Sequence, residues 1–357
     1  MKIACLIGSL QMGGAERQMV VLASTLSRMG HEVTVLTYHP LNFYRSELEK
    51  SGAEYLCFSG GTSLLRSAFF LAHYMKSTGT GMMISFLRRP CVKACLAHIL
   101  YPRFKLVVSE RGAIVNLRRR DKLRFRMYRK ADAVISNSFA QREVMVSQFP
   151  KLSGLVVTVP NAVDTALFHP GGGRRSSPRI VLVTARICAQ KNFLGLIEAA
   201  KLMKSDNFQI RWYGSASGKY ASACLKTLEE SGLGDSFLYF SSVLSVEEIY
   251  REATVFCLPS FNEGTSNSLA EALASGLPVA ASRVSDNAMY VGPDNGVLIE
   301  DPSDPRCIAE ALDSLLALPD DALEAMGERS RRIAVEKFSF ERYEGQYAAL
   351  LDSIMGR

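Results

Sequence analysis

The chain has 357 residues, 48% of them apolar and 22% charged, and a formal net charge of +7. That length exceeds one ordinary core and suits two domains, while the composition excludes a fibrous or low-complexity chain. No apolar run reaches the roughly 18 residues of a membrane span, and residues 3–7 are too short an apolar core for a secretory leader.

Residues 2–8 read as a first strand running into Gly8-Ser9-Leu10-Gln11-Met12-Gly13-Gly14-Ala15-Glu16-Arg17. A helix follows to about Met29, with Gly30 as its stop. The Gly-x-Gly-x-x-Gly spacing of a dinucleotide fingerprint is absent. Gly13 and Gly14 offer either a helix start that a ligand approaches without a Cβ in the way, or a plain tight turn. Further strands fit at 33–37, 54–58, 82–86, 106–109, 133–136 and 155–159, with helical stretches between them. This alternation predicts a parallel doubly wound sheet, with ligands at the carboxyl ends of its strands. Residues 64–75, with Phe69, Phe70 and Tyr74, suit a helix packed on that sheet better than a membrane-seeking one.

Glu110 and Arg111 stand at one strand end, where an arginine either holds an acceptor phosphate or makes a surface ion pair. Residues 117–130 are the most basic of the chain. Eight positive residues, Arg118, Arg119 and Arg120 among them, and one Asp interleave there with Leu117, Leu123, Met127 and Tyr128. At helical spacing this suits an anionic membrane face or a polyphosphate, and equally an outer helix packed on the sheet by its apolar stripe. No nucleic-acid-binding fold accompanies it, so a nucleic-acid partner is not expected. Residues 1–170 hold 23 Lys and Arg against 10 Asp and Glu, a balance of +13; the remainder holds 19 against 25, a balance of −6. An anionic partner is therefore expected on the first half alone.

Residues 169–178, rich in Gly, Arg, Ser and Pro, read as a linker, and a second alternating series starts at Arg179. A strand at 180–184 leads into Ala185-Arg186-Ile187-Cys188-Ala189-Gln190-Lys191-Asn192. There an Arg and a Lys five apart can converge on one diphosphate and stabilise the charge that grows on a departing phosphate. A strand at 208–213 ends at Gly214, and 237–243 forms another segment with Ser241 and Ser242 at its close. The apolar run 253–258 reads as a buried strand. Pro259-Ser260-Phe261-Asn262-Glu263-Gly264-Thr265-Ser266-Asn267-Ser268-Leu269-Ala270-Glu271-Ala272 follows, with a helix over about 266–275 stopped by Gly276. A strand, a Gly-bearing loop and a helix start aim backbone N–H groups at a phosphate. Glu263 and Glu271 bracket that site, and carboxylates beside a phosphate suit sugar and ribose hydroxyls. Residues 338–355 read as a terminal helix. The eight cysteines are scattered without a Cys-x-x-Cys pair and the five histidines are dispersed, so reduced core thiols are expected and no metal centre.

Glu263-x7-Glu271 with its Pro-Ser-x-x-Glu-Gly and Glu-Ala-x-Ala-x-Gly-x-Pro-Val surroundings, together with Arg186-x4-Lys191, resembles the signature of the family 4, GT-B-fold retaining glycosyltransferases. The resemblance implies an α/β fold of two Rossmann-like domains facing a cleft. An acceptor-binding domain would span 1–168 and a nucleotide-sugar-binding domain 179–337, with the helix 338–357 crossing back to the first. Arg186 and Lys191 would stabilise the leaving phosphate and Glu263 would orient sugar hydroxyls. The donor would lie against Gly14, Gly214, Ser242, Gly264, Thr265, Ser266, Asn267, Ser268, Leu269 and Glu271, with Glu271 on the ribose. The acceptor would meet Gly13, Glu16, Arg17, Glu110, Arg111 and the Arg118, Arg119, Arg120 run. Two departures stand out: relatives often carry His at or near Arg111, and Ser241-Ser242 replaces a small Gly-containing pair beside the base.

No Asp-x-Asp occurs, so cations and helix starts are expected to hold the diphosphate without a metal or other cofactor. The resemblance implies transfer with retention from a nucleotide-sugar, a UDP-sugar in the first instance. The basic first half points to an anionic lipid-linked (polyprenyl-diphosphate) glycan acceptor, and to a peripheral protein on the cytoplasmic face of the membrane. Rival readings are a GT-B-fold sugar-nucleotide epimerase or phosphorylase, a non-catalytic binding subunit, and a transferase with a soluble acceptor.

Overall fold

Ile3, Ala4, Cys5 and Leu6 are all buried in the first strand, as a continuous apolar run requires when helices cover both faces of a parallel sheet. The computed structural model describes residues 1–58, 63–112, 119–171, 177–243 and 245–356, and within these every side chain but that of Arg120. It divides into two units, Met1–Ala162 with Glu341–Arg357, and Val163–Phe340.

In the first unit β1 (Lys2–Leu6), β2 (Glu32–Thr37), β3 (Glu54–Cys57), β4 (Met82–Phe86), β5 (Lys105–Glu110), β6 (Ala133–Ser136) and β7 (Val156–Thr158) form one sheet in the order β3-β2-β1-β4-β5-β6-β7. Every neighbouring pair is parallel. The chain winds outward from β1 to β3 and then returns to β4 on the other side of β1. The loops after β1 and β4 therefore part at a switch point, the place where such sheets bind ligands. Leu6, Met83, Leu106, Val108, Phe125 and Tyr128 lie in the core of one face.

In the second unit β8 (Arg179–Thr184), β9 (Phe208–Tyr213), β10 (Phe237–Phe240), β11 (Val255–Leu258), β12 (Val279–Ser282) and β13 (Gly296–Ile299) repeat the plan in the order β10-β9-β8-β11-β12-β13, again all parallel. Here the switch point lies between β8 and β11. One face packs Phe193, Trp212, Phe237, Ile308 and Leu312; the other packs Tyr250, Phe256, Leu269, Leu273 and Phe338.

Boundaries moved at several expected elements. The strand expected at 253–258 starts at Val255, and the helix expected over 266–275 runs Asn267–Ala274. The terminal helix expected over 338–355 runs Phe340–Met355, and the extended Ser339 separates it from the preceding helix Asp320–Phe338. Residues 163–168 belong with the second unit. The Arg331 guanidinium donates to the carbonyls of Thr165, Phe168 and Ala274, and Val163 N donates to Phe338 O. From Glu341 onward the chain belongs with the first unit, where Tyr343, Tyr347, Leu350, Leu351 and Ile354 are buried.

Candidate functional site

The two sequence motifs of the second unit emerge from the two strands that flank its switch point. After β8 the chain makes a short helical turn, Ala189–Lys191, and leaves it through Asn192 in the left-handed region at φ 58°. The Asn192 side chain donates to Pro302 O at 2.6 Å and fills the space a Cβ on residue 195 would need, which is why glycine stands there. After β11 comes the loop with Glu263. The loops are laced together: Phe261 N donates to Gln190 O at 2.9 Å and Gln190 Nε2 to Asn262 O at 2.7 Å. Across this lacing Lys191 Nζ meets Glu263 Oε1 at 2.5 Å, with both side chains largely buried. Arg186 is exposed on the same β8 loop.

Of the rest of the expected donor set, Gly14 lies in the first unit and the others lie in the second. Thr265 and Ser266 are buried, and Gly264, Asn267 and Ser268 are half-buried. Ser266 is the N-cap of the Asn267–Ala274 helix but makes no side-chain cap bond; its hydroxyl pairs with that of Ser268 at 2.9 Å. Leu269 packs in the core. Glu271 is buried and its Oε2 accepts from Tyr250 Oη at 2.9 Å. Gly214 follows β9, where a Cβ would strike the Ala185 carbonyl, so the Arg186 loop approaches closely only because glycine stands there. Ser242 is exposed beyond β10.

In the first unit the helix Gly14–Arg28 starts at Gly13, and the buried Glu16 folds its carboxylate back over Gly13 into the place of a Cβ. An acid in the third helical position facing its own N-terminus is one half of a capping box, whose other half the side-chain-less Gly13 cannot supply. Arg17 is half-buried one residue on. Among the described residues Arg111 makes no ion pair. Its guanidinium lies 3.8 Å over the Phe86 ring and donates to Asn161 Oδ1 at 2.8 Å and to Tyr347 Oη at 3.5 Å.

Glu110 turns the other way. It is buried, 2.9 Å from Arg124 Nε, and accepts from Tyr128 Oη at 2.6 Å. Burial above all pushes the Tyr128 phenol well up, so it stays a donor. The basic helix, Arg119–Tyr128, is therefore not charged all round: Arg124 points inward to Glu110 and Asp121, and Phe125 and Tyr128 are core. Leu123, expected in the apolar stripe, is exposed, as are Arg119, Lys122 and Arg126. Arg118 and the Arg120 side chain lie outside the described residues. Among the described residues no group of three His, Cys, Asp or Glu is placed to hold a metal ion, and no helix is long and apolar enough to cross a membrane.

Tyr250, Thr184 and Gln190 escaped the sequence reading. Gln190 lay inside the singled-out loop and Thr184 at its threshold, whereas Tyr250 reads only as an apolar position of the helix Val246–Glu252.

Two family models match the chain: Glycosyltransferase Family 4 over residues 12–167 and Glycosyl transferases group 1 over residues 178–318. An MMP alpha-(1->4)-mannosyltransferase of Mycolicibacterium hassiacum is 29% identical, with 82% of this chain and 72% of that protein covered. A GalNAc-alpha-(1->4)-GalNAc-alpha-(1->3)-diNAcBac-PP-undecaprenol alpha-1,4-N-acetyl-D-galactosaminyltransferase of Campylobacter jejuni is 28% identical, with 76% and 77% covered. Among solved structures, Anabaena Alr3699/HepE in complex with UDP and glucose superposes with a TM-score of 0.87 at 18% identity, covering 99% of this chain and 100% of that one. The fold is thus GT-B, two α/β units with the C-terminal helix returned to the first. The chain belongs to the family 4 GT-B glycosyltransferases, with a family 4 domain followed by a group 1 domain.

Proposed function

We propose that the protein moves a sugar, with retention of anomeric configuration, from a nucleotide-sugar to a hydroxyl of a lipid-linked glycan at the cytoplasmic face of a membrane. The observation that carries the reading is the meeting of Lys191 and Glu263 at the switch point of the second sheet, with Glu271 on the next helix. In this reading Arg186 and Lys191 take the diphosphate. They stabilise the negative charge that grows on its terminal oxygen as the anomeric C–O bond breaks. Glu263 orients sugar hydroxyls and Glu271 takes the ribose. The acceptor oxygen bonds to the anomeric carbon on the leaving-group face, and its proton passes to the departing phosphate. No metal enters any step, because fixed cations and the Asn267–Ala274 helix start supply the positive field.

UDP as the nucleotide portion of the donor is supported by the Anabaena neighbour, whose complexes hold UDP. A lipid-linked acceptor is supported by the Campylobacter relative, whose name gives an undecaprenol-linked acceptor, and by the first unit's exposed cations. The exposed Arg119, Lys122, Leu123 and Arg126, and the apolar Leu64, Leu65 and Phe69 on the helix Leu64–Thr78, suit a membrane surface.

The test is transfer of labelled sugar from a panel of UDP- and GDP-sugars into organic-extractable lipid, with purified protein, EDTA and a bacterial membrane extract. Label in the lipid phase with one donor is expected. Label confined to an isomerised nucleotide would replace transfer by epimerisation, and label confined to a water-soluble product would move the acceptor off the membrane.

A further inference from the structure

Tyr250 is fully buried, yet its hydroxyl meets polar groups from two other elements: Thr184 Oγ1 at 2.5 Å, Glu271 Oε2 at 2.9 Å and Ser268 O at 3.3 Å. A phenol has one proton, and a carboxylate and a carbonyl only accept. The charged oxygen at the shorter distance takes that proton, so Thr184 donates in turn to the phenol oxygen. The result is a directed chain, Thr184 to Tyr250 to Glu271, running from the end of β8 to the Asn267–Ala274 helix. Its ring is fixed independently, edge-on to Phe168 at 5.6 Å and beside Phe256 at 5.8 Å. A hydroxyl this deep serves packing no better than a phenylalanine would. What it adds is a fixed orientation for one oxygen of Glu271.

We propose that Tyr250 is a positioning residue that aims the Glu271 carboxylate at the ribose of the donor nucleotide. The proposal rests on the ribose role given to Glu271 above. A carboxylate held at one oxygen by a rigid phenol presents the other in a set direction, and a bond to a charged acceptor gains most when its geometry is set beforehand. Tyr250 thereby helps the site tell ribose from deoxyribose without touching the nucleotide.

The test is calorimetric binding of UDP, GDP and ADP, each against its 2′-deoxy and 3′-deoxy counterparts, to the full-length protein and to Glu271→Ala, Tyr250→Phe and Thr184→Val. For a hydrogen bond to a charged group the unsubstituted protein should prefer a ribonucleotide by roughly tenfold or more. Glu271→Ala should erase that preference. Tyr250→Phe should cut it by roughly three- to tenfold. Inorganic pyrophosphate, which has no ribose, should bind Tyr250→Phe as it binds the unsubstituted protein. Should Tyr250→Phe not fold, Thr184→Val carries the same reading by removing the donor to the phenol. No preference in the unsubstituted protein, or a full one in Glu271→Ala, refutes the ribose role and this proposal with it. A preference erased in Glu271→Ala but kept whole in both Tyr250→Phe and Thr184→Val leaves the ribose role standing and overturns the positioning. So does equal weakening of nucleotides and pyrophosphate in Tyr250→Phe.

Discussion

Lys191 Nζ lies 2.5 Å from Glu263 Oε1, joining the loop after β8 to the loop after β11 with side chains only 15% and 7% exposed. Each charge is held in a poorly hydrated place by the other, so the pair couples the stability of the site to its chemistry. Removing one partner leaves the other buried and uncompensated, at a cost of about 3 kcal/mol.

Lys191→Ala should therefore lower turnover by roughly 10²-fold or more and destabilise the second unit as well. Glu263→Ala should abolish transfer. The two effects separate in the double variant Lys191→Met/Glu263→Gln, which buries no lone charge: it should regain much of the lost stability and none of the activity. Trp212, the chain's one tryptophan, is buried in the second unit and its indole N–H donates to Ala185 O at 2.6 Å, so its fluorescence follows unfolding there. A double variant as unstable as Lys191→Ala would show that the pair is not what holds the loops.

The strands were legible because a parallel sheet covered on both faces writes them as short continuous apolar runs. Val181, Leu182 and Val183 are such a run, and Phe208–Tyr213 matches its expected span at both ends. Arg186, Lys191, Glu263 and Glu271 were legible as motifs because each motif lies on one loop or one loop–helix turn. The orientation of Arg124 was not legible. An arginine inside a basic run reads as solvent-facing, and only the fold brings Glu110 and Tyr128 to it. Tyr250 was hidden for the same reason: its helical position predicts burial, but the carboxylate it serves comes from another element. The terminal helix starts at Phe340 and not at the expected Phe338, because nothing in the local pattern marks the extended turn at Ser339.

Arg111 clasps Phe86, Asn161 and Tyr347, and so ties the end of β5 to the Phe340–Met355 helix inside the first unit. A lysine keeps the charge but cannot lie flat on the ring while donating to two partners. Arg111→Lys should cost about 1–2 kcal/mol of local stability. Hydrogen exchange should show it as faster exchange of amides in that helix, with the second unit unchanged. Unaltered exchange there would mean that the helix is held by its buried Tyr343, Leu350 and Leu351 alone.

Membrane attachment, if it uses the two exposed surfaces of the first unit, should have two components with different salt dependence. Neutralising Arg119, Lys122 and Arg126 removes surface charges worth about 1 kcal/mol each against anionic lipid, and should weaken vesicle binding most at low salt. Leu65→Ser with Phe69→Ser should instead remove a contribution that salt does not screen, since those side chains are 66% and 62% exposed apolar groups. Co-sedimentation with phosphatidylglycerol vesicles at low and high salt separates them. Loss that is equal at all salt concentrations in the charge-neutral variant would reject the electrostatic component.

Lys93 is buried in the first unit with its ammonium 3.3 Å from the centroid of the Tyr38 ring, and burial, then the positive charge of Arg89, lowers its pKa to about 8. An unfolded lysine titrates near 10.4. Between those values the unfolded chain binds the proton that the folded chain has released, so folding gains stability as pH rises. Below about 8 both states are protonated and the cost of the buried charge is present in full. Compared with Lys93→Met, the unsubstituted protein should therefore gain stability from pH 8 to pH 10, by at most about 1.4 kcal/mol per pH unit. Tyr38, beneath Lys93, has its own pKa raised, chiefly by burial, which favours its protonated form in the folded protein. Urea unfolding of both proteins at pH 7, 8, 9 and 10, followed by circular dichroism, measures the gain. A difference that stays flat across that range would show that Lys93 keeps its proton in the folded state as firmly as in the unfolded one.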